Sequence, residues 1–442
     1  MILLLDAAAH GAESAVGARA EEVVLRLLYQ LIAILVVTRV VVLVVRRLGQ
    51  TDVSGEILAG LVLGPSCLGA IAPNAMHALF DPSTSQIFVG IAQVGLVLLM
   101  FQIGQEFEFR SALGSAKRSI AVISFAGLVV PFALGNFTAP WFYRQLAEPR
   151  PPLLGFQLFF AIAMSITAIP ILGRIFMELR LSHTRTAALT IGAAAIDDVI
   201  GWLLLGVVSL VVRQQFSSGW LLVRLGSLAA YLVFVFVVAR PLLKRWIAAH
   251  LKHHGRLQPS AVAILLIVLF CSAAVTSNIG VFAIIGGFVI GASVHDDRAF
   301  VSEWKERVSP LVNTFFLPVF FAYTGLRTDI GSISSTHEAL VCALVCAVAF
   351  ASKFGGAWLG ARLVGENNRS ALTIGTCMNT RALMELIAIN IGYDLGVLPR
   401  SMFTKLVVMA IVSTFMATPL IRWLMRGQER RETVDLPGAA QA

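Results

Sequence analysis

The sequence predicts an all-α, polytopic membrane protein of about thirteen transmembrane helices, built around two inverted five-helix repeats. Three observations carry this expectation. The 442 residues are 57% hydrophobic and 13% charged, against roughly 25% charged in a soluble domain. Apolar runs of about 20 residues, enough to cross a bilayer, recur along the chain. One pair of such runs also returns later, in the same order and in the opposite orientation.

The expected spans, in order, are 22–45, 54–71, 87–104, 119–143, 154–177, 186–212, 219–243, 259–277, 280–294, 308–325, 338–363, 371–392 and 402–425. The second and ninth are short. Loop charges orient them. With Arg46 and Arg47 in the cytoplasm, 22 of the 34 Lys and Arg residues fall in cytoplasmic loops. The N-terminus is then outside and the C-terminus inside, as an odd number of spans requires. The same bias accounts for the net charge of +9 without a nucleic-acid partner, since no basic run is interleaved with aromatics. The domain reading is an extracytoplasmic tail over 1–21, a membrane domain over 22–426 and a short cytoplasmic tail over 427–442. The first segment lacks a basic region before an apolar core, so a cleaved signal peptide is not expected. The five cysteines all lie in apolar stretches without a C-x-x-C, and read as small buried hydrophobes. Lys252-His253-His254 reads as a solvated turn. No cofactor and no resident metal are expected.

The repeat aligns EILAGLVLGPS (56–66) with AIIGGFVIGAS (283–293), matching Gly60 with Gly287, Gly64 with Gly291 and Ser66 with Ser293. The following spans match Gly104 with Gly325. Spans two to six, about 54–212, then pair with nine to thirteen, about 280–425. Spans one, seven and eight are left for a dimer surface. Such repeats place a transport site at the bilayer midplane, on helices that break there.

Span six carries Asp197 and Asp198 in the middle of an apolar run. A carboxylate in hydrocarbon costs several kcal/mol unless paired or hydrated, so it reads as functional. Span five breaks at Ser165-Ile166-Thr167-Ala168-Ile169-Pro170, where proline removes a backbone donor and disfavours helix before it. Its repeat partner, span twelve, carries Asn379, Thr380, Arg381 and Glu385, with Arg381 and Glu385 four apart on one helical face. Span eleven holds Lys353 between small residues. Adjacent helical residues point about 100° apart, so Asp197 and Asp198 have different partners. We assign Asp197 to a salt bridge with Lys353, and Asp198 to the cavity. There a proton and a transient Na+ or K+ compete for one carboxylate.

At these residues the chain resembles the monovalent cation/proton antiporter superfamily, especially the plant-type cation/proton exchangers and their bacterial relatives. The resemblance spans about 50–425. It rests on AIAMSITAIPILGRI (161–175), AAAIDDVIGWLL (193–204), FFLPVFFAYTGLRTDI (315–330), MNTRALMELIAINIG (378–392) and FTKLVVMAIVSTFMATPL (403–420). It implies an NhaA/NapA-like antiporter fold with crossed, discontinuous helices. It further implies a homodimer in a bacterial inner membrane, with a core moving against a static dimerisation domain. Thr167, Asp197, Asp198 and Lys353 match its cation-site positions. Plant-type exchangers often have Asn before the Asp and are associated with potassium, whereas an Asp-Asp pair with a core lysine is associated with electrogenic sodium/proton exchange; this sequence combines Asp-Asp with the signature at 379–386. Potassium-efflux relatives carry a cytoplasmic nucleotide-binding domain, and gating of that kind is not expected in cis.

The alternative reading is a sodium-coupled organic-solute symporter of the same architecture, which would need a roomy site but not the Asp-Asp and Lys353 set. An intramembrane aspartyl enzyme wants two facing carboxylates on separate helices, so an enzyme is not expected. A channel wants a continuous pore rather than a midplane site.

Overall fold

Hydrocarbon offers the backbone no hydrogen-bond partner, so an apolar run must close its bonds internally, as helix. A computed structural model describes residues 2–48, 50, 52–80, 85–105, 117–147, 149–167, 172, 176, 184–213, 218–381 and 383–425, and their regular structure is entirely helical. The elements are α1 (Ile2–Arg47), α2 (Asp52–Leu63), the short α3 (Leu68–Ile71) and α4 (Pro73–Leu79), α5 (Ser85–Gln105), α6 (Lys117–Arg144), α7 (Leu153–Ser165) and α8 (Arg185–Arg213). Next come α9 (Ser218–Phe234), which runs through a π turn into α10 (Arg240–His254), then α11 (Pro259–Ile279), α12 (Ala283–Val294) and α13 (Arg298–Arg307). The chain closes with α14 (Leu317–Arg327), α15 (Thr336–Leu363), α16 (Asn368–Met378), α17 (Leu383–Asp394) and α18 (Arg400–Met425).

Among the described residues, ten segments are long and apolar enough to cross a membrane. Two shorter apolar helices, α7 and α12, and the split pair α16–α17 occupy the other three expected spans. Two expectations differ in extent. Helix starts at Ile2 rather than near residue 22, so α1 includes the segment read as a tail. Span seven runs past residue 243 to His254, where the basic, histidine-rich end of α10 leaves the apolar zone. Residues 427–442 lie outside the described residues.

The helices form two bodies. In one, α6, α7, α8, α15, α16, α17 and α18 pack on each other. In the other, α1, α2, α5, α11, α12 and α14 do so. At the edge of the second body, Asp296 accepts from Arg240 at 3.1 Å and Lys244 at 2.7 Å. Partial burial opposes ionisation of Asp296, but Lys244 and Arg240 outweigh it and hold the carboxyl below its ordinary range.

Packing inside the second body uses the repeat's glycines. α2 packs mainly on α1 and on α14 of the other repeat rather than on α5, the next span; α5 packs on α12. The two contacts are related as the sequence alignment relates the glycines. A Cβ on Gly64 would lie 2.3 Å from the Gly325 carbonyl oxygen, and one on Gly291 would lie 2.1 Å from that of Phe101, beside Gly104. Such closeness maximises dispersion between helices where lipid removes the hydrophobic drive. Backbone cannot retreat as a side chain can. Gly325→Ala, whose Cβ would sit 2.0 Å from Gly60 backbone, should therefore cost about 1–3 kcal/mol or more, read as a lower Tm in detergent. Gly226→Ala, with nothing within 4 Å in α9, should leave Tm unchanged or raise it. Equal Tm values for the two variants would refute the close-approach argument.

Candidate cation site at two crossed helix breaks

The first break is the end of α7. Ile166 is extended (φ −69°, ψ 143°) and Thr167 carries no helix. Pro170 lies outside the described residues. A helix end leaves its last carbonyls without intrahelical donors, and in an apolar core each must be met. Here every one has a partner. The Ser165 hydroxyl bonds back to Ala161 O at 2.6 Å, and Ile166 N donates to Ile162 O at 3.2 Å. Arg381 Nη1 donates to Ala163 O at 2.6 Å, and its Nη2 to Met164 O at 2.9 Å. Lys353 Nζ donates to Ser165 O.

The second break follows α16. Asn379 leaves helical geometry, and Asn379 N and Thr380 N close tight turns onto Thr376 O and Cys377 O. Thr380 Oγ1 adds a bond to Cys377 O at 2.8 Å. The helix resumes at Leu383, with Glu385 in its first turn, where the helix dipole favours an anion. Arg381 crosses between the breaks. Besides the α7 carbonyls it reaches Ala349 O at 3.0 Å and Glu385 Oε2 at 3.4 Å, and its Nε lies 3.5 Å from Asn379 Oδ1. Thr167 Oγ1 lies 3.4 Å from Met378 O, a further link across the crossing.

Asp197 and Lys353 are brought together at 2.9 Å, both fully buried. Ser124 on α6 donates to Asp197 Oδ1 at 2.6 Å, and Thr167 Oγ1 lies 3.3 Å from Oδ2. Lys353 spends its three donors on Asp197, Ser165 O and Gly127 O, the last at 2.8 Å. Ser124 and these backbone carbonyls are members the sequence did not disclose. A serine in an apolar span gives no sign of its role, and a carbonyl has no letter.

Asp198 is 2% exposed and lies in the field of Lys353. Its helix face is set by residues four and eight further on. The Trp202 ring lies 6.4 Å from that of Phe288, and a Cβ on Gly206 would meet Ile285 at 3.1 Å and Val281 at 3.2 Å. The 198–202–206 stripe thus faces α12, the other body, while the neighbouring Gly201 fronts Ile166 at the end of α7, inside its own body. Asp198 therefore stands at the seam between the bodies, and Asp197 behind it. Among the described residues, five ionisable side chains share this region: Asp197, Asp198 and Glu385 against Lys353 and Arg381. When all are ionised, the sum is minus one.

The sequence model of the transmembrane sodium/hydrogen exchanger family matches residues 32–427. The chain belongs to that family. It is 35% identical over 399 residues to the Na+/H+ antiporter NhaS4 of Synechocystis, covering 90% of this chain and 96% of that protein. It is 34% identical to cation/H+ antiporter 20 of Arabidopsis thaliana and 30% identical to K+/H+ antiporter 1 of Saccharomyces cerevisiae, spanning 48% and 46% of those longer proteins. The structure of the sodium proton antiporter MjNhaP1 of Methanocaldococcus jannaschii superposes with a TM-score of 0.62 at 18% identity, covering 94% of this chain and all of that one. That likeness establishes the fold, an antiporter-type bundle. The symporter alternative draws no support from these relatives.

Proposed function

We propose that this protein exchanges a monovalent cation, Na+ or K+, for protons by alternating access, with Asp198 as the shared binding carboxylate. The observation that carries the reading is the position of Asp198 on the seam, in a region where the described ionisable side chains sum to minus one. A proton or an alkali ion neutralises that charge equally well, and both cannot occupy it together. Asp197 belongs to a compensated group with Lys353, Ser124 and Thr167. Arg381, Glu385, Asn379 and Thr380 hold the two breaks in register beside Thr167 and the aspartates. Movement of one body along the other would present Asp198 to each side in turn.

The names of the relatives support both ions, one being a Na+/H+ and another a K+/H+ antiporter. The charge bias supports an outside N-terminus and a cytoplasmic C-terminus, and the family resemblance supports a bacterial inner membrane. We extend the proposal to a homodimer on the α1 and α9–α10 faces. These are the least covered spans, with 28% and 17% of their most apolar stretches buried.

The test is direct. Everted vesicles from antiporter-deficient cells carrying the protein are given a pH gradient, then sodium, potassium or lithium. At least one ion should dissipate the gradient, and vesicles without the protein should not respond. Failure of all three ions across the pH range would end the exchange reading.

A further inference from the structure

Away from Asp198, the two bodies meet again where α14 and α17 end. A cavity of about 270 Å³ lies on this seam. Gln93, Phe282, Phe320 and Tyr323 line it from one body, and Asn390 and Asp394 from the other. Arg327, the last residue of α14, reaches across beside it. Its Nη1 lies 2.6 Å from Asp394 Oδ1 and donates to Asn390 Oδ1 at 3.2 Å. Its guanidinium rests 4.0 Å from the ring centre of Tyr323 on its own helix and 5.1 Å from that of Tyr393 on α17. Asn390 returns a bond across the seam, from Nδ2 to Thr324 Oγ1 at 3.0 Å. Further along, Asp329 N donates to Thr404 Oγ1 of α18 at 3.3 Å.

None of these groups belongs to the Asp198 region. What unites them is that each bond joins one body to the other. A guanidinium nitrogen held between a carboxylate and an amide, with its plane resting on rings, has strict geometry. Displacement of α17 along α14 by even one helical turn, about 5.4 Å, would break it. A contact present in only one of two access states stabilises that state and shifts their populations.

We propose that Arg327, through Asp394 and Asn390, is a positioning residue of the exchange cycle. It latches the two bodies in the conformation seen here and sets the balance between the two access states. The inference rests on the alternating-access reading above. It needs no contact between Arg327 and the transported ion.

The test uses proteoliposomes of the full-length protein with cation KM measured from each membrane face. Apparent affinity at a face scales with the population open to it, so the ratio of the two KM values reports the balance. Arg327→Ala should shift that ratio by roughly three- to tenfold, the span of a partly exposed ion pair plus a ring contact. Arg327→Lys, which keeps the charge and loses the planar guanidinium on the rings, should shift it less. Asp394→Asn repeats the measurement without touching Arg327, should the alanine variant not accumulate. If wild-type protein exchanges ions and the ratio stays fixed in Arg327→Ala and Asp394→Asn, the latch is refuted. If wild-type protein exchanges none, it is the functional reading that fails.

Discussion

Asp198→Asn should abolish cation-driven proton movement, down to the level of vesicles without the protein, while the protein still folds. The substitution keeps shape and burial and removes one charge. The region then sums to zero with Asp197, Glu385, Lys353 and Arg381 ionised, and an entering alkali ion would be an uncompensated charge in a low-dielectric interior. That penalty is several kcal/mol, enough to remove transport at any practical concentration. Stability separates the two aspartates, and Asp197→Asn makes the contrast. It leaves the Lys353 ammonium on two carbonyls without its counter-ion, and should lower Tm more than Asp198→Asn does. The measurements are gradient dissipation in everted vesicles and thermal unfolding in detergent. Full exchange by Asp198→Asn would overturn the assignment of that carboxylate.

The second large effect is on folding. Arg381→Ala removes the donors to Ala163 O, Met164 O and Ala349 O together, and leaves Glu385 buried without its cation. Breaking a buried pair costs about 3–5 kcal/mol, and each abandoned carbonyl adds about 1–3 kcal/mol, without strict additivity. The sum rivals the whole stability of an ordinary domain, about 5–15 kcal/mol, so little folded protein should accumulate. Adding Glu385→Gln should recover part of the loss, because the stranded carboxylate goes with it. Fluorescence-detected size exclusion and Tm would read both variants. A wild-type Tm for Arg381→Ala would show that the crossing does not depend on this residue.

Charged letters in apolar text are conspicuous because hydrocarbon penalises them, and for that reason Asp197, Asp198, Lys353, Arg381 and Glu385 were visible in the sequence. The helix ending near Ser165 was visible through the proline beyond it. What could not be seen were partners without chemical distinction: the Ser124 hydroxyl, and the carbonyls of Gly127, Ala163, Met164 and Ala349, which any residue would supply. The glycine alignment revealed the repeat but not the exchange of partners, since a one-dimensional match says which helices are alike and not which ones touch. Arg327 stood in the sequence only as one letter of the stretch 315–330, with no role of its own. Its bonds depend on the two bodies meeting, which periodicity does not encode.

The glycine contacts have a consequence for biogenesis. Ser66, just beyond α2, donates to Thr328 O, an acceptor 262 residues later. At ribosomal speeds of about 5–20 residues per second, α2 waits on the order of 13–50 s for the helix it fits. Through that interval its notched surface is exposed to lipid or to whatever insertion machinery attends it. Neither half of the gene product can mature alone, and a nascent chain arrested midway should be a ready substrate for membrane quality-control proteases.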